Sequence, residues 1–138
     1  MKNVMLKIKG LQTSIDGEEN AIELITEGKL YQKGNVMYLV YEESELSGME
    51  GCTTTVKVIQ DKIWMKRFGK SKSEIIFEKG KPYNTNYHTP YGTFDMEVLT
   101  KDMTYSLTDE YKGELFIEYF VNLEGIVEST NQLRIKIM

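Results

Sequence analysis

The sequence is poor in the residues that usually build catalytic and metal centres. Its 138 residues include one histidine, His88, and one cysteine, Cys52. A structural zinc site usually needs four ligands and a catalytic one three, so these two residues do not supply a zinc centre. We therefore predict no metal, no cofactor and no catalytic residue. A single cysteine also excludes an intrachain disulfide and fits a reducing compartment, so we expect a cytoplasmic protein.

Long hydrophobic runs and an excess of positive charge are also missing. Lysines such as Lys7 and Lys9 interrupt the apolar residues near the N-terminus, which leaves no apolar core for a signal peptide. No segment approaches the length of a membrane span. The net charge is −4, far from the basic excess that binding to a phosphate backbone requires. We therefore expect neither nucleic acid nor membrane as a partner.

Apolar residues nowhere recur at helical spacing over a dozen residues. Instead they alternate with polar ones, as in Val4, Leu6 and Ile8, which is the period of a strand with one buried face. The run Ala21–Tyr31 is the ambiguous segment, because its Glu and Leu residues also favour a helix. Gly28 lies inside this run and a hairpin signal follows it, so we predict a strand there as well.

The whole chain is predicted to be one all-β domain, residues 1–138. The predicted strands are Val4–Gln12, Ala21–Tyr31, Val36–Tyr41, Cys52–Gln60, Ile63–Phe68, Ser73–Phe77, Tyr83–Tyr87, Thr93–Thr100, Met103–Leu107, Glu114–Leu123 and a last strand reaching Ile137. Tight turns join them, including one at Lys101-Asp102 and one at Tyr111-Lys112-Gly113. Hairpin connections between roughly eight to ten strands predict an antiparallel up-and-down barrel, because closure removes the exposed sheet edges.

Several segments resemble the YwiB-like family of small bacterial proteins of unknown function. They are Tyr41-Glu42-Glu43, Gly48-Met49-Glu50-Gly51 leading into Thr53-Thr54-Thr55-Val56-Lys57, and Thr89-Pro90-Tyr91-Gly92. Their order and spacing match along nearly the whole chain. The resemblance implies a calycin-type barrel, related in architecture to lipocalins, and it brings no established reaction or ligand.

The densest group of carboxylates is Glu42, Glu43, Glu45 and Glu50. A carboxylate pair can act in acid-base catalysis or bind a hard cation, but this spacing lacks the pattern of a calcium loop. Glu42 and Glu43 should point to opposite faces of a strand. We therefore expect a solvated acidic connection that discourages edge pairing.

Arg67 is the most informative polar residue. If Ile63 and Met65 point into the barrel, Arg67 follows them by parity and needs a carboxylate, phosphate or carbonyl partner; the opposite parity puts Trp64 and Phe68 inside. An inward arginine would suit an anionic ligand. The candidate ligand-binding residues are Trp64, Arg67, Tyr87, His88, Tyr91 and Tyr119.

Two functions of different classes follow from these observations. The first is a non-catalytic carrier or sensor of a small amphipathic or anionic molecule. The alternative is a barrel filled by its own side chains that acts as an interaction or assembly module, including a homo-oligomer, because the strand Glu114–Leu123 is apolar on both faces. An enzyme that uses His88 ranks third, since a loop histidine is more often bonded to a neighbour or to water.

Overall fold

The computed structural model describes residues 2–43, 51–106 and 112–138, and these form ten strands without a helix. The strands are β1 (Lys2–Ser14), β2 (Glu19–Lys33), β3 (Val36–Glu42), β4 (Cys52–Ile59), β5 (Lys62–Gly69), β6 (Ser73–Glu78), β7 (Pro82–Thr89), β8 (Gly92–Tyr105), β9 (Gly113–Leu123) and β10 (Val127–Ile137). The ambiguous Ala21–Tyr31 run is therefore a strand, within β2.

One antiparallel sheet contains all ten strands in the order β6-β5-β4-β3-β2-β1-β10-β9-β8-β7. Except for β6 and β7, strands that follow one another along the chain pair as hairpins, as the short turns predict. The pairing of β1 with β10 joins the two halves, with Leu6 opposite Ile137. The result is a nearly closed up-and-down barrel, which confirms the predicted fold class.

The turn predicted at Lys101-Asp102 is wrong. β8 continues through these residues to Tyr105, and a register shift between Thr100 and Asp102 marks a β-bulge against β9. The bulge takes up one extra residue without ending the strand, so the local polar pair gives no reversal. Residues 103–105 belong to β8, whereas Leu107 of the predicted separate strand lies outside the described residues, as does Tyr111 of the next predicted turn.

The two outermost strands of the sheet, β6 and β7, meet without a regular ladder. Among the described residues, one bridge joins them: Lys72 and His88 exchange two backbone hydrogen bonds of 2.8 Å each. We call this junction the β6–β7 seam. Pro82 has no N–H to donate at the start of β7, so the junction lacks a donor where this strand begins.

Side chains fill the inside of the barrel. Fully buried residues come from strands all around it, among them Leu6, Leu39, Phe77 and Ile117. Gly28 is part of this packing: a Cβ at its position would lie 2.7 Å from Cδ1 of Leu6 and 3.1 Å from a backbone oxygen. A larger residue there would push Leu6 out of place, which explains the glycine inside β2.

A row of side chains crosses the outer surface of four neighbouring strands. Tyr31 stacks on Tyr38 at 4.7 Å, and Lys57 places its Nζ 3.7 Å from the ring centroid of Trp64. The register puts Tyr38 opposite Lys57 and Lys57 opposite Trp64. Trp64 therefore belongs to the outside of the barrel and to a cation–π contact.

Candidate functional site

A charged network lies inside the barrel where β3, β4 and β5 meet. Nη2 of Arg67 lies 3.3 Å from Oε1 of Glu43, and the hydroxyl of Thr54 donates to the same carboxylate at 2.6 Å. Nε of Arg67 donates to Thr54 at 3.2 Å. The side chains of Glu43 and Arg67 are 5% and 16% exposed. The Thr54 hydroxyl thus links the two charged groups by hydrogen bonds, and little water reaches the ion pair.

Strand parity explains why this network forms. On β5, Ile63 and Met65 are buried, and Arg67 follows them to the inner face. The register places Thr54 of β4 directly opposite Arg67. The orientation in which Arg67 points into the barrel is confirmed. The carboxylate partner that this orientation requires is also confirmed, and it is Glu43.

The prediction of a solvated carboxylate cluster is wrong for Glu43. Glu42 is exposed, whereas the next residue, Glu43, places its carboxylate inside the barrel. Adjacent residues of an extended chain point to opposite sides, which is the separation that the sequence predicts. Arg67, the ion-pair partner of Glu43, is 24 positions away in the sequence, so the local pattern does not identify it. Glu45 and Glu50 lie outside the described residues.

Two buried tyrosines surround the ion pair. Burial raises the pKa of Tyr41 well above its usual range, and the Glu43 charge adds to this, while Arg67 opposes it. Burial likewise raises the pKa of Tyr119, again opposed by Arg67. For Arg67, burial acts to lower the pKa, but Glu43 and the neighbouring tyrosines outweigh it and the pKa is raised. The network thus keeps one positive and one negative charge next to neutral hydroxyls.

We expect Tyr41 and Tyr119 to resist ionisation at alkaline pH. Because their folded-state pKa values lie above the ordinary value of 10.0, they favour the folded state fully below that pH and lose this contribution as the pH rises beyond it. Absorbance at 295 nm during a pH titration, with circular dichroism on the same samples, measures both events. In Tyr41→Phe, the late-ionising signal should become smaller. If every tyrosine ionised near pH 10 while the fold persisted, the prediction would be wrong.

An open cleft of about 260 Å³ lies across the β6–β7 seam and reaches Arg67. Its lining combines cationic and hydrogen-bonding side chains with one carboxylate: Lys66, Arg67, Phe68, Lys72, Ser73, Glu74, Thr85, Asn86 and His88. We call it the seam cleft. The cleft exists at this place because β6 and β7 are bridged only beside Lys72 and His88, so Arg67 can be reached between them.

The seam cleft brings together part of the predicted ligand-binding set. Arg67 and His88 line it, and Tyr87 and Tyr119 lie near the Arg67 charge and pack against the core. His88 is exposed and its Nδ1 lies 3.0 Å from the hydroxyl of Thr93. This confirms the expectation of a histidine bonded to a neighbour.

Two predicted residues lie elsewhere. Trp64 occupies the outer row beneath Lys57, because it has the opposite parity to Arg67, so it does not share the interior with the arginine. Tyr91 is 93% exposed at the turn between β7 and β8. Neither residue lines the seam cleft.

Several residues of the seam cleft carry no individual signal in the sequence. Ser73, Thr85 and Asn86 are ordinary strand residues, and they meet because the sheet closes on itself. Within the described ranges, no group of three or more His, Cys, Asp or Glu side chains could hold a metal ion. In the same ranges no helix is long and apolar enough to span a membrane.

Comparisons with known proteins give a consistent result. Residues 6–135 match the model of a family described as Domain of unknown function (DUF1934). The chain is 31% identical over 121 residues to the uncharacterized beta-barrel protein YwiB of Bacillus subtilis (strain 168). The aligned residues cover 87% of this chain and 82% of the relative. The crystal structure of the ywiB protein from Bacillus subtilis matches with a TM-score of 0.82 at 26% identity, over 99% of this chain and 92% of that one.

Proposed function

We propose a function for this chain, which belongs to the DUF1934 family of uncharacterised β-barrel proteins. It is a non-catalytic cytoplasmic protein that binds a small molecule with an anionic group. The seam cleft is the proposed binding site, and Arg67 is the proposed partner of the anion. The resemblance in sequence implies a calycin-type barrel, and we place the bound molecule at the seam rather than at the centre of the barrel.

The observation that carries this proposal is a charged network inside a barrel whose core is mostly apolar. Replacing a buried ion pair by packed apolar residues is often neutral or stabilising, so the stability of the barrel does not by itself explain the Glu43–Arg67 pair. Arg67 is also one of the residues that line an open cleft. A buried charge that a solute can reach is better explained by recognition than by stability.

The chemistry of the seam cleft favours a compact anion. Lys66 and Lys72 add positive charge beside Arg67, against one carboxylate from Glu74. An arginine guanidinium matches a carboxylate or phosphate with two parallel hydrogen bonds. A volume of about 260 Å³ lies below the usual range of about 300–1,000 Å³ for drug-sized ligands, which indicates a small molecule.

Paired substitutions test the role of Arg67. Glu43→Gln removes the negative charge that neutralises the guanidinium and should therefore strengthen anion binding. Adding Arg67→Met to that variant should weaken binding about tenfold or more, a loss of about 1.4 kcal/mol, by removing the anion's partner. Isothermal titration calorimetry with acetate, succinate and inorganic phosphate measures both changes.

Arg134→Met is the matched control, because Arg134 pairs with Glu114 on the outside of the barrel. It removes the same charge and should leave anion affinity nearly unchanged. Equal effects of the two arginine substitutions would show that affinity follows net charge rather than the cleft. An affinity that is the same in the Glu43→Gln protein and in the double variant would remove Arg67 from the site.

A second candidate function is an interaction module, and the filled interior favours it. Buried side chains occupy the space that a carrier of larger apolar molecules would need. The apolar outer side of β9 is partly covered within the chain, since the guanidinium of Arg134 lies 4.7 Å from the ring centroid of Phe116. A partner surface would then lie where large apolar side chains are exposed.

A further inference from the structure

Two neighbouring turns at one end of the barrel expose large apolar side chains. Ile15 is 78% exposed between β1 and β2, Ile126 is 82% exposed between β9 and β10, and Val127, the first residue of β10, is 45% exposed. The backbone N–H of Ile15 donates to the carbonyl of Glu128 at 3.2 Å, so the two turns are held side by side. Single exposed apolar residues are ordinary, but a group at the tips of adjoining turns marks an interaction surface.

The β9–β10 turn holds its isoleucine outward by backbone geometry. Glu124 and Gly125 have φ angles of 56° and 71°, and the N–H of Ile126 donates to the carbonyl of Leu123 at 2.9 Å. These values are those of a tight hairpin turn in which both central residues have positive φ. Ile126 directly follows this turn and is fixed at the barrel end rather than folded into the core.

Carboxylates lie in the same two turns as these apolar residues and on the adjoining ends of the strands. They are Asp16, Glu18, Asp95, Glu97, Glu124 and Glu128. Asp95 and Glu124 are tied together, since each donates its backbone N–H to the other residue, at 2.6 and 2.9 Å. In the part of the chain that the structure describes, none of the six pairs with a lysine or arginine. We call the three apolar residues and these six carboxylates the acidic tip.

An open cleft adjoins the acidic tip. It has a volume of about 580 Å³, and Asp95, Glu97 and Glu124 line it together with asparagine side chains such as Asn122. Carboxylate and amide oxygens there can accept hydrogen bonds from an ammonium or guanidinium group. The apolar residues of the tip and an acceptor-lined cleft therefore lie next to each other.

We propose that the acidic tip docks a basic amphipathic helix of another protein. The helix would set its apolar side chains against Ile15, Ile126 and Val127 and its lysines or arginines against the surrounding carboxylates. A second copy of this chain does not fit tip to tip, because the same carboxylates would face each other. Anionic lipid and nucleic acid are repelled for the same reason. This inference deepens the interaction-module candidate and is independent of ligand binding in the seam cleft.

Binding of model peptides tests the acidic tip. The probe is a labelled Leu/Lys peptide of about 15 residues, enough for four helical turns, with leucines at helical spacing. The control peptide has the same composition in an order without an apolar face. Fluorescence anisotropy should show the amphipathic peptide binding about tenfold tighter than the control, and Ile15→Ser with Ile126→Ser should remove this difference.

Charge substitutions complete the test. Asp95→Asn with Glu124→Gln keeps the side-chain shapes and should both weaken binding of the amphipathic peptide and reduce its dependence on salt. Equal binding of the two peptides, binding that survives the serine substitutions, or no binding of the amphipathic peptide would each overturn the proposal. The Glu43→Gln, Arg67→Met protein should bind the peptide like the parent, which separates this result from the seam cleft.

Discussion

Arg67→Met should lower the free energy of unfolding by about 3–5 kcal/mol, the usual cost of leaving one partner of a buried ion pair alone. The carboxylate of Glu43 is 5% exposed and would lose the guanidinium that compensates its charge. Among the described residues, the Thr54 hydroxyl would remain as a hydrogen-bond donor to it. Urea denaturation followed by circular dichroism measures the loss.

The double variant separates the ion pair from simple packing. Glu43→Gln combined with Arg67→Met removes both charges, so it should be clearly more stable than Arg67→Met alone. Glu43→Gln alone should cost less than Arg67→Met, because Arg67 reaches solvent through the seam cleft whereas Glu43 does not line it. A double variant as unstable as Arg67→Met would show that the lost arginine contacts, and not the uncompensated charge, cause the effect.

Phe77→Ala should lower the free energy of unfolding by a similar amount, about 3–5 kcal/mol, because it removes a fully buried ring. Phe77 is 0% exposed, and its ring centroid lies 4.9 Å from that of Tyr119. The ladder of β6 on β5 and that of β9 on β10 limit how far these strands can move into the gap.

Phe68→Ala is the matched control for this prediction. Phe68 lies on the neighbouring strand β5 and is 46% exposed, so the same substitution removes much less buried surface. We expect a loss of about 1 kcal/mol or less, in keeping with substitutions at half-exposed positions. Thermal and urea unfolding measure the free energy of unfolding of both variants. Equal losses of this free energy at the two positions would mean that Phe77 does not contribute as a core residue.

The strands could be predicted from the sequence because alternation records which side of a sheet is buried. Val4, Leu6 and Ile8 are all buried in β1, as their spacing indicates. The same rule failed at Lys101 and Asp102, where a bulge shifts the register and a polar pair resembles a turn. A bulge depends on the partner strand, which local sequence does not specify.

The candidate site could be predicted only in part, for a related reason. Parity offered two orientations for Arg67, and the register of β4 and β5 was needed to choose between them. The seam was not foreseen, because the segment from Lys79 to Pro82 looks like the other hairpin connections. Ser73, Thr85 and His88 meet in the cleft through closure of the whole sheet, which no short pattern encodes.

The pairing of β1 with β10 has a consequence for how the barrel assembles. Each of the other ladders joins strands that follow one another along the chain, so it can form as a local hairpin soon after its second strand is synthesised. The ladder that sets Leu6 against Ile137 must wait until both are available. During synthesis β1–β6 therefore form an open ribbon whose first strand keeps one edge unpaired. Until β10 docks, that edge is where pairing with another nascent chain competes with closure.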